Sequence, residues 1–384
     1  MTPVRPRRAD ATDAQVETPS GVSRVDDPSA LQGPETAPLY AALDLGTNSC
    51  RMLIAQPTGS QFTIVDSFSK TVQLGAGLEA TGRLSRSSMG RTIQALRICE
   101  RKLDKHGVRR MRLVATEACR RARNARDFIR QVRRETGLAL EIIAPEEEAR
   151  LAVISCAPLV NVSTEQLLIV DIGGGSTELV WIDLSAVAPA DRPKAIMRLH
   201  MGFDAQGEGA VARVVDWISV PLGVATLRDQ FEDVEDDQGR FALMSWHFEE
   251  MLSDFTPYSL MQDMDESFQV IGTSGTVTTV AASHLGLRRY DRTKVDGLTM
   301  TSAQIDRVIR DYLALGPDGR RADPRIGRER HALIMSGAAI LQTLMRVWPT
   351  RRLSVADRGL REGLLYAQMV KDGVLAPDGM NGVA

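Results

Sequence analysis

Between Leu167 and Asp183 the chain reads LLIVDIGGGSTELVWID, an apolar run that closes on Asp171, three glycines, two hydroxyl residues, Glu178 and a second apolar run. Such a segment can hold two carboxylates beside a turn that comes close to a ligand. Gly173, Gly174 and Gly175 have no Cβ to keep a ligand away, so successive N–H groups can converge on phosphate oxygens. Leu179 to Ile182 is short and β-prone, which separates this turn from phosphate and dinucleotide loops that open a helix. Taken alone, the run is also explained by a plain hairpin with two solvated acids.

That bland reading weakens because the device recurs in Ala41 to Gln56, AALDLGTNSCRMLIAQ. Asp44 takes the place of Asp171, Gly46 and Thr47 open the turn, and Asn48 and Ser49 supply donors before the strand resumes. Two hairpins tipped with acids can face each other across a cleft. A third glycine turn, IGTSGTVTT at Ile271 to Thr279, contains Gly275 and Thr276 and leads into a helix; by itself it is an ordinary turn.

Positioning these turns requires alternating strands and helices. Phe62 to Lys70 reads as strand and Ser85 to His106 as a helix with apolar Ile93, Leu96, Cys99 and Leu103, ended by Gly107. Strands are predicted at Met111 to Ala115 and Leu138 to Ile143, with a helix between them at Asn124 to Glu135. Pro145 opens the next helix. Further on, Trp217 to Val220 and Arg352 to Ala356 read as strands, helices fill much of 223–265 and 302–348, and Leu360 to Lys371 is a final helix. The alternation specifies an α/β protein.

With 384 residues, 43% hydrophobic and 25% charged, the chain is long enough for two cored domains. Its first 38 residues lack aromatic residues and are rich in Pro, Thr, Asp, Ser and Ala, the composition of a disordered tail. The sequence shows neither a signal-type apolar run nor a membrane-length one, so a cytoplasmic protein without membrane partners is expected. Cys50, Cys99, Cys119 and Cys156 form no CxxC pair and read as buried reduced thiols. Between Arg97 and Arg134 there are 14 Lys or Arg against four acids. Such a run is usually a solvated helix face, and its functional reading is a funnel for a polyanion. Nucleic acid is disfavoured as that polyanion, because no aromatic residues are interleaved for stacking.

In order along the chain, DLGTNSCRMLIA, VATEACRRARNARDF, IIAPEEEARLA, DIGGGSTELV, PLGVATL, IGTSGTVTTVAA, RHALIMSGAAIL and VADRGLREGLL resemble the exopolyphosphatase and guanosine pentaphosphate phosphatase family, Ppx/GppA, over roughly 40–366. The resemblance implies the two-domain actin-like ATPase (ribonuclease H-like) α/β fold with an interdomain cleft. It divides the chain into the tail 1–38, a first domain 39–163 completed by the helix in 360–375, and a second domain 164–359 with an insertion at 184–215. Some members continue into a helical HD-type domain; this chain resembles a short form. A homodimer is an assembly the resemblance allows.

The same resemblance assigns chemistry. Glu148 of EEEAR aligns with the family's water-activating glutamate, and Glu178 with a second catalytic acid. Glu146 and Glu147 are explained by the preference for acids at a helix start. A divalent cation, Mg²⁺ by expectation, would be held by Asp171 and Glu178 with waters. Phosphate oxygens would meet the N–H groups of Gly173 to Ser176 and Gly46 to Asn48 and the hydroxyls of Ser49, Ser176 and Thr177. Asp44 stands beside them, Arg120 and Arg51 are candidate phosphate arginines, and Gly275 and Thr276 match the third motif. Ser274, at a usually glycine position, would narrow any nucleoside pocket there.

The expected reaction is removal of terminal phosphate from inorganic polyphosphate, with hydrolysis of guanosine pentaphosphate in the stringent response as the close alternative. An actin-like sugar kinase or ATPase, a reading of a different class, predicts ATP-dependent transfer to an acceptor, and the EEEAR acid ahead of DIGGGSTE argues for water instead. A non-catalytic polyphosphate or alarmone sensor would be expected to lack Glu148 or Glu178, and both are present.

Overall fold

The apolar runs that end on Asp44 and Asp171 become central strands of two separate sheets. The computed structural model describes residues 37–203, 212–259, 266–327 and 329–376. Its first sheet contains β1 (Tyr40–Leu45), β2 (Ser49–Thr58), β3 (Gln61–Thr71), β4 (Arg110–Ala115) and β5 (Glu141–Ile142), in the order β3-β2-β1-β4-β5. The second contains β6 (Gln166–Ile172), β7 (Thr177–Asp183), β8 (Arg213–Val220), β9 (Phe268–Thr273), β10 (Thr299–Met300) and β11 (Leu353–Ala356), in the order β10-β11-β9-β6-β7-β8.

One unit is used twice. β1 runs antiparallel to β2 and parallel to β4, and β6 runs antiparallel to β7 and parallel to β9. In both hairpins the acid is the penultimate residue of the first strand, where Asp44 pairs with Arg51 and Asp171 pairs with Glu178. The same backbone bond closes each turn, from Gly46 N–H to Ser49 O at 3.0 Å and from Gly173 N–H to Ser176 O at 2.9 Å.

Because strand residues alternate between faces, each sheet needs cover on both sides. Leu43 and Leu45 of β1 join an outer core with Ile93, Leu96, Phe128 and Val132, from the helices Arg86–Lys105 and Ala125–Thr136. Ala42 and Tyr40 face the other way, into a central core. There the helices Pro145–Cys156 and Leu360–Lys371 lie between the sheets, with Leu151, Ile154, Leu364 and Leu365 meeting Leu53 of one sheet and Ile169 and Val180 of the other. The helices Asp237–Glu250, Gly275–His284, Ser302–Ala322 and Ile334–Val347 cover the outer face of the second sheet around Trp181 and Trp348. This succession of layers is the one expected of an actin-like fold.

The last helix returns to the beginning of the chain. Gln368 Nε2 donates to Ala41 O at 3.2 Å, and the Tyr40 hydroxyl donates to Asp372 at 2.9 Å. Against the helix Pro145–Cys156 its approach is so close that a Cβ on Gly363 would stand 2.2 Å from Leu151 O and 2.8 Å from Leu151 C.

Two sequence expectations change. The strand predicted at 138–143 shrinks to Glu141–Ile142, because only these residues pair with Val114 and Ala115 while Leu138 and Leu140 turn into the outer core. The predicted insertion 184–215 ends earlier, since β8 already pairs Arg213 with Asp183. Within it the helix Arg192–Arg198 buries Ala195, Ile196 and Met197 in the central core, so this part is structural filling. Residues 204–211 and the predicted tail, up to residue 36, lie outside the described residues. All four cysteines are buried and unbridged. Among the described residues, no helix is long and apolar enough to cross a membrane.

Gly363→Ala tests the central contact. Neither helix backbone can yield to a methyl group at that distance, so a loss of about 1–3 kcal/mol is expected, the usual cost of overpacking. Urea unfolding at neutral pH reads it.

Candidate active site

The two hairpin turns meet. A Cβ on Gly174 would lie 3.1 Å from Asn48 N and 3.4 Å from Thr47 Cβ, and one on Gly175 would lie 2.3 Å from Thr47 Oγ1. From behind, Val224 and Ala225 donate their N–H groups to Gly173 O at 3.0 Å and Gly174 O at 2.8 Å, which ties down the carbonyls of the glycine turn. Gly223 is needed for that approach, since its Cβ would stand 2.5 Å from Gly173 O.

Above the turns lies a cavity of about 350 Å³. From the first sheet it receives Asp44, Gly46, Thr47, Asn48, Ser49 and Arg51, and from the second Asp171, Gly173, Gly174, Gly175 and Ser176. Gly275 and Thr276 reach it from the third turn. Glu148 reaches it from the first turn of its helix, where Pro145 occupies an opening position that needs no N–H partner. The three consecutive glutamates thereby separate. Glu146 is exposed, Glu147 pairs with Arg112 at 2.8 Å, and Glu148 is buried.

Three expected residues stand outside the lining. Thr177 is fully buried and its hydroxyl donates to Leu222 O at 2.7 Å, so it ties β7 to the exit of β8 and corrects the expectation of a phosphate-binding hydroxyl. Glu178 is 2% exposed behind Asp171 and accepts a hydrogen bond from Ser219 Oγ at 2.8 Å. Arg120 does not line the cavity either. Its Nη1 donates to Glu148 Oε2 at 2.7 Å and to Ile143 O at 3.1 Å, and its Nε donates to Glu117 Oε2 at 3.0 Å. It grips acids where the sequence suggested phosphate.

Ser274 lines the cavity but uses its hydroxyl to accept from Val277 N–H at 3.0 Å, capping the helix Gly275–His284. Part of the basic run is taken up by acids. Arg97 pairs with Glu135, Lys102 with Asp66, Arg112 with Glu141 and Glu147, and Arg121 with Glu79. The cavity's bases come instead from Arg51 and from three arginines that sequence reasoning missed, Arg330, Arg358 and Arg361. The signal was available, since all three sit within or beside the RHALIMSG and VADRGLREGLL blocks. Arg330 is anchored to Gly275 O at 2.9 Å, and Arg358 pairs with Asp296. Among the described residues, the side chains of Arg51 and Arg361 make no hydrogen bond or ion pair.

Charge here is unresolved in both signs. Burial, and then the charges of Glu148 and Asp44, push Asp171 up to about 8. Burial and Asp171 push Glu178 to about 7. Glu148 is held well above the usual carboxylate range by burial and Glu178, although Arg120 pulls the other way. Burial and the neighbouring Arg361 depress the Arg51 guanidinium. Acids repel acids and guanidinium groups repel each other within one cavity, and a cation bound with a polyanion relieves both. The donors fit Mg²⁺, which takes one or two hard carboxylate oxygens and keeps its waters. Asp171 at the wall, with Glu178 behind it, would hold it. Among the described residues no three His, Cys, Asp or Glu side chains form a ready-made cage.

Known proteins resemble this chain over most of its length. A guanosine-5'-triphosphate,3'-diphosphate pyrophosphatase from Aeromonas salmonicida (strain A449) is 28% identical over 336 residues, covering 86% of this chain and 59% of the relative. The chain thus spans about three fifths of the length of the curated relatives it matches. The crystal structure of the Aquifex aeolicus member of the Ppx/GppA family superposes with a TM-score of 0.67 at 29% identity, covering 87% of this chain and 98% of that one. An exopolyphosphatase from Cytophaga hutchinsonii shares the fold with a TM-score of 0.72 at 21% identity, covering 88% and 99%. The model of the Ppx/GppA phosphatase family matches residues 53–372, and the chain belongs to that family.

Proposed function

We propose that the chain hydrolyses a terminal phosphoanhydride with Mg²⁺, acting on guanosine pentaphosphate, with inorganic polyphosphate as a second substrate. The carrying observation is the seat itself, in which two abutting turns, unpaired Arg51 and Arg361, and buried Glu148 converge on one cavity. The sequence put polyphosphate first. The Aeromonas relatives, named for guanosine 5'-triphosphate 3'-diphosphate, support the nucleotide instead.

In this reading the backbone N–H groups of Gly46 to Asn48 and Gly173 to Ser176, with the Ser49 and Ser176 hydroxyls, bind the oxygens of the terminal phosphate. Arg51 and Arg361 complete the anion seat. Glu148 accepts a proton from water as the water oxygen bonds to the terminal phosphorus. The bond from phosphorus to the bridging oxygen breaks, its electron pair leaves with the shortened chain, and orthophosphate is released. When bound, Mg²⁺ supplies positive charge to the phosphate oxygens and lowers the repulsion between substrate and Asp171. A transferase is less well supported, because the acid of the EEEAR segment, placed to activate water, lines the same cavity as the two turns.

Purified protein should release orthophosphate from guanosine pentaphosphate, more slowly from polyphosphate, and from neither after chelation of Mg²⁺. No release from either with Mg²⁺ present would reject the reading. Glu148→Gln should lower kcat by roughly 10²–10⁴-fold, the contribution of a positioned general base, with binding of the nucleotide retained. Equal turnover in variant and wild type would exclude Glu148.

The same variant has a pH signature. A carboxyl raised in the folded state keeps its proton while the unfolded chain loses one near pH 4.5, so stability drains away as pH rises from there toward the raised value. Gln copies the neutral form. Glu148→Gln should therefore melt several degrees above wild type at pH 8, with the difference vanishing toward pH 4, as calorimetry without metal or nucleotide would read.

A further inference from the structure

Arg120 has two acidic partners, Glu117 and Glu148, and both line the cavity. Its Nη1 reaches Glu148 Oε2 at 2.7 Å, while Nε and Nη2 lie 3.0 and 2.9 Å from Glu117 Oε2. All three side chains are largely out of water, with 13% of Arg120 and 11% of each glutamate exposed. Glu117 begins the short helix Glu117–Arg121 immediately after the exit of β4, so its backbone is set by the first sheet. Its far side touches the opposite hairpin, since a Cβ on Gly175 would lie 3.1 Å from Glu117 Cγ.

We infer that Glu117 is a positioning residue, which fixes the Arg120 guanidinium and through it the Glu148 carboxylate relative to the seated phosphate. The inference rests on the assignment of Glu148 as base. The guanidinium is planar, so holding its Nε edge determines where its Nη1 points. With Nε gripped by Glu117 and Nη1 also bound to Ile143 O at 3.1 Å, the hydrogen bond to Glu148 has one direction. Ile143 ends the segment leading to the helix that carries Glu148, so acid and clamp share a frame. Without Glu117, Arg120 would place its whole charge on Glu148 and could rotate toward the anionic substrate. Either change withdraws basicity or alignment from the acid that must take the proton. Although Glu117 borders the cavity, its carboxylate is engaged by Arg120, and it acts on the reaction through that guanidinium.

The test uses Glu117→Gln and Glu117→Asp in the full chain. Glu117→Gln should lower kcat for guanosine pentaphosphate at least tenfold, part of the roughly 10²–10⁴-fold that a general base supplies, while KM stays within twofold. Glu117→Asp, which restores the charge, should recover part of kcat. Unchanged kcat in Glu117→Gln, or a raised KM with unchanged kcat, would overturn the inference, the second because it would make Arg120 a substrate ligand. Melting temperatures of Glu117→Gln, Glu148→Gln and the double variant give a readout independent of turnover. Coupling through Arg120 requires their effects to be non-additive, and additive shifts overturn the inference even where wild type proves inactive. Inactivity of wild type with non-additive shifts instead rejects the assigned reaction and leaves the clamp standing.

Discussion

Everything at the cleft depends on two chain turns being allowed to touch. Gly174 and Gly175 lie where a side chain of any size would strike Thr47 or Asn48. The contact brings the ends of two independent sheets to one cavity. Neither sheet alone provides the seat. The layers behind the turns serve that contact, from the backbone bonds of Val224 and Ala225 to the paired helices in the central core.

Such closeness has an electrostatic cost, visible in the raised carboxyls of Asp171 and Glu178. Burial raises the proton affinity of Asp44, Glu148, Asp171 and Glu178, neighbouring acids add to it at the last three, and burial with Arg361 and Arg330 disfavours the Arg51 charge. Burial magnifies both effects because little water remains to screen them. A site already neutral in itself would have less to gain from a metal and a polyphosphate. Here the ligand-free protein holds charges of both signs that are only partly matched, and the arrangement of the binding groups is already fixed.

The repeated hairpin was legible because its signals are local. Asp44 before Gly46 and Asp171 before Gly173 specify strand and turn without knowledge of the rest of the fold. The helix Leu360–Lys371 was equally plain from its own periodicity. What escaped depended on partners distant in sequence. Arg358 and Arg361 enter the cavity because β11 pairs with β9 and leads into the last helix, and Arg330 because it is held on Gly275 O, which nothing within their own segments reveals. The basic run was misleading for the same reason. Its excess is real along the chain, yet Asp66, Glu79, Glu135, Glu141 and Glu147 come in from elsewhere to offset it. Thr177 belonged to the right motif, but alternation along β7 turned its hydroxyl away from the opening.

The two hairpins are duplicates in backbone and opposites in one side chain. At the register position facing the strand-end acid, one has Arg51 and the other Glu178. The first hairpin therefore sets a guanidinium across from its acid, whereas the second sets two carboxyls across from each other, both raised by burial. This difference gives the gap between them a direction, much as unlike plates give a capacitor one. The doubled architecture is thus repeated in its backbone and unlike in the chemistry of its two walls.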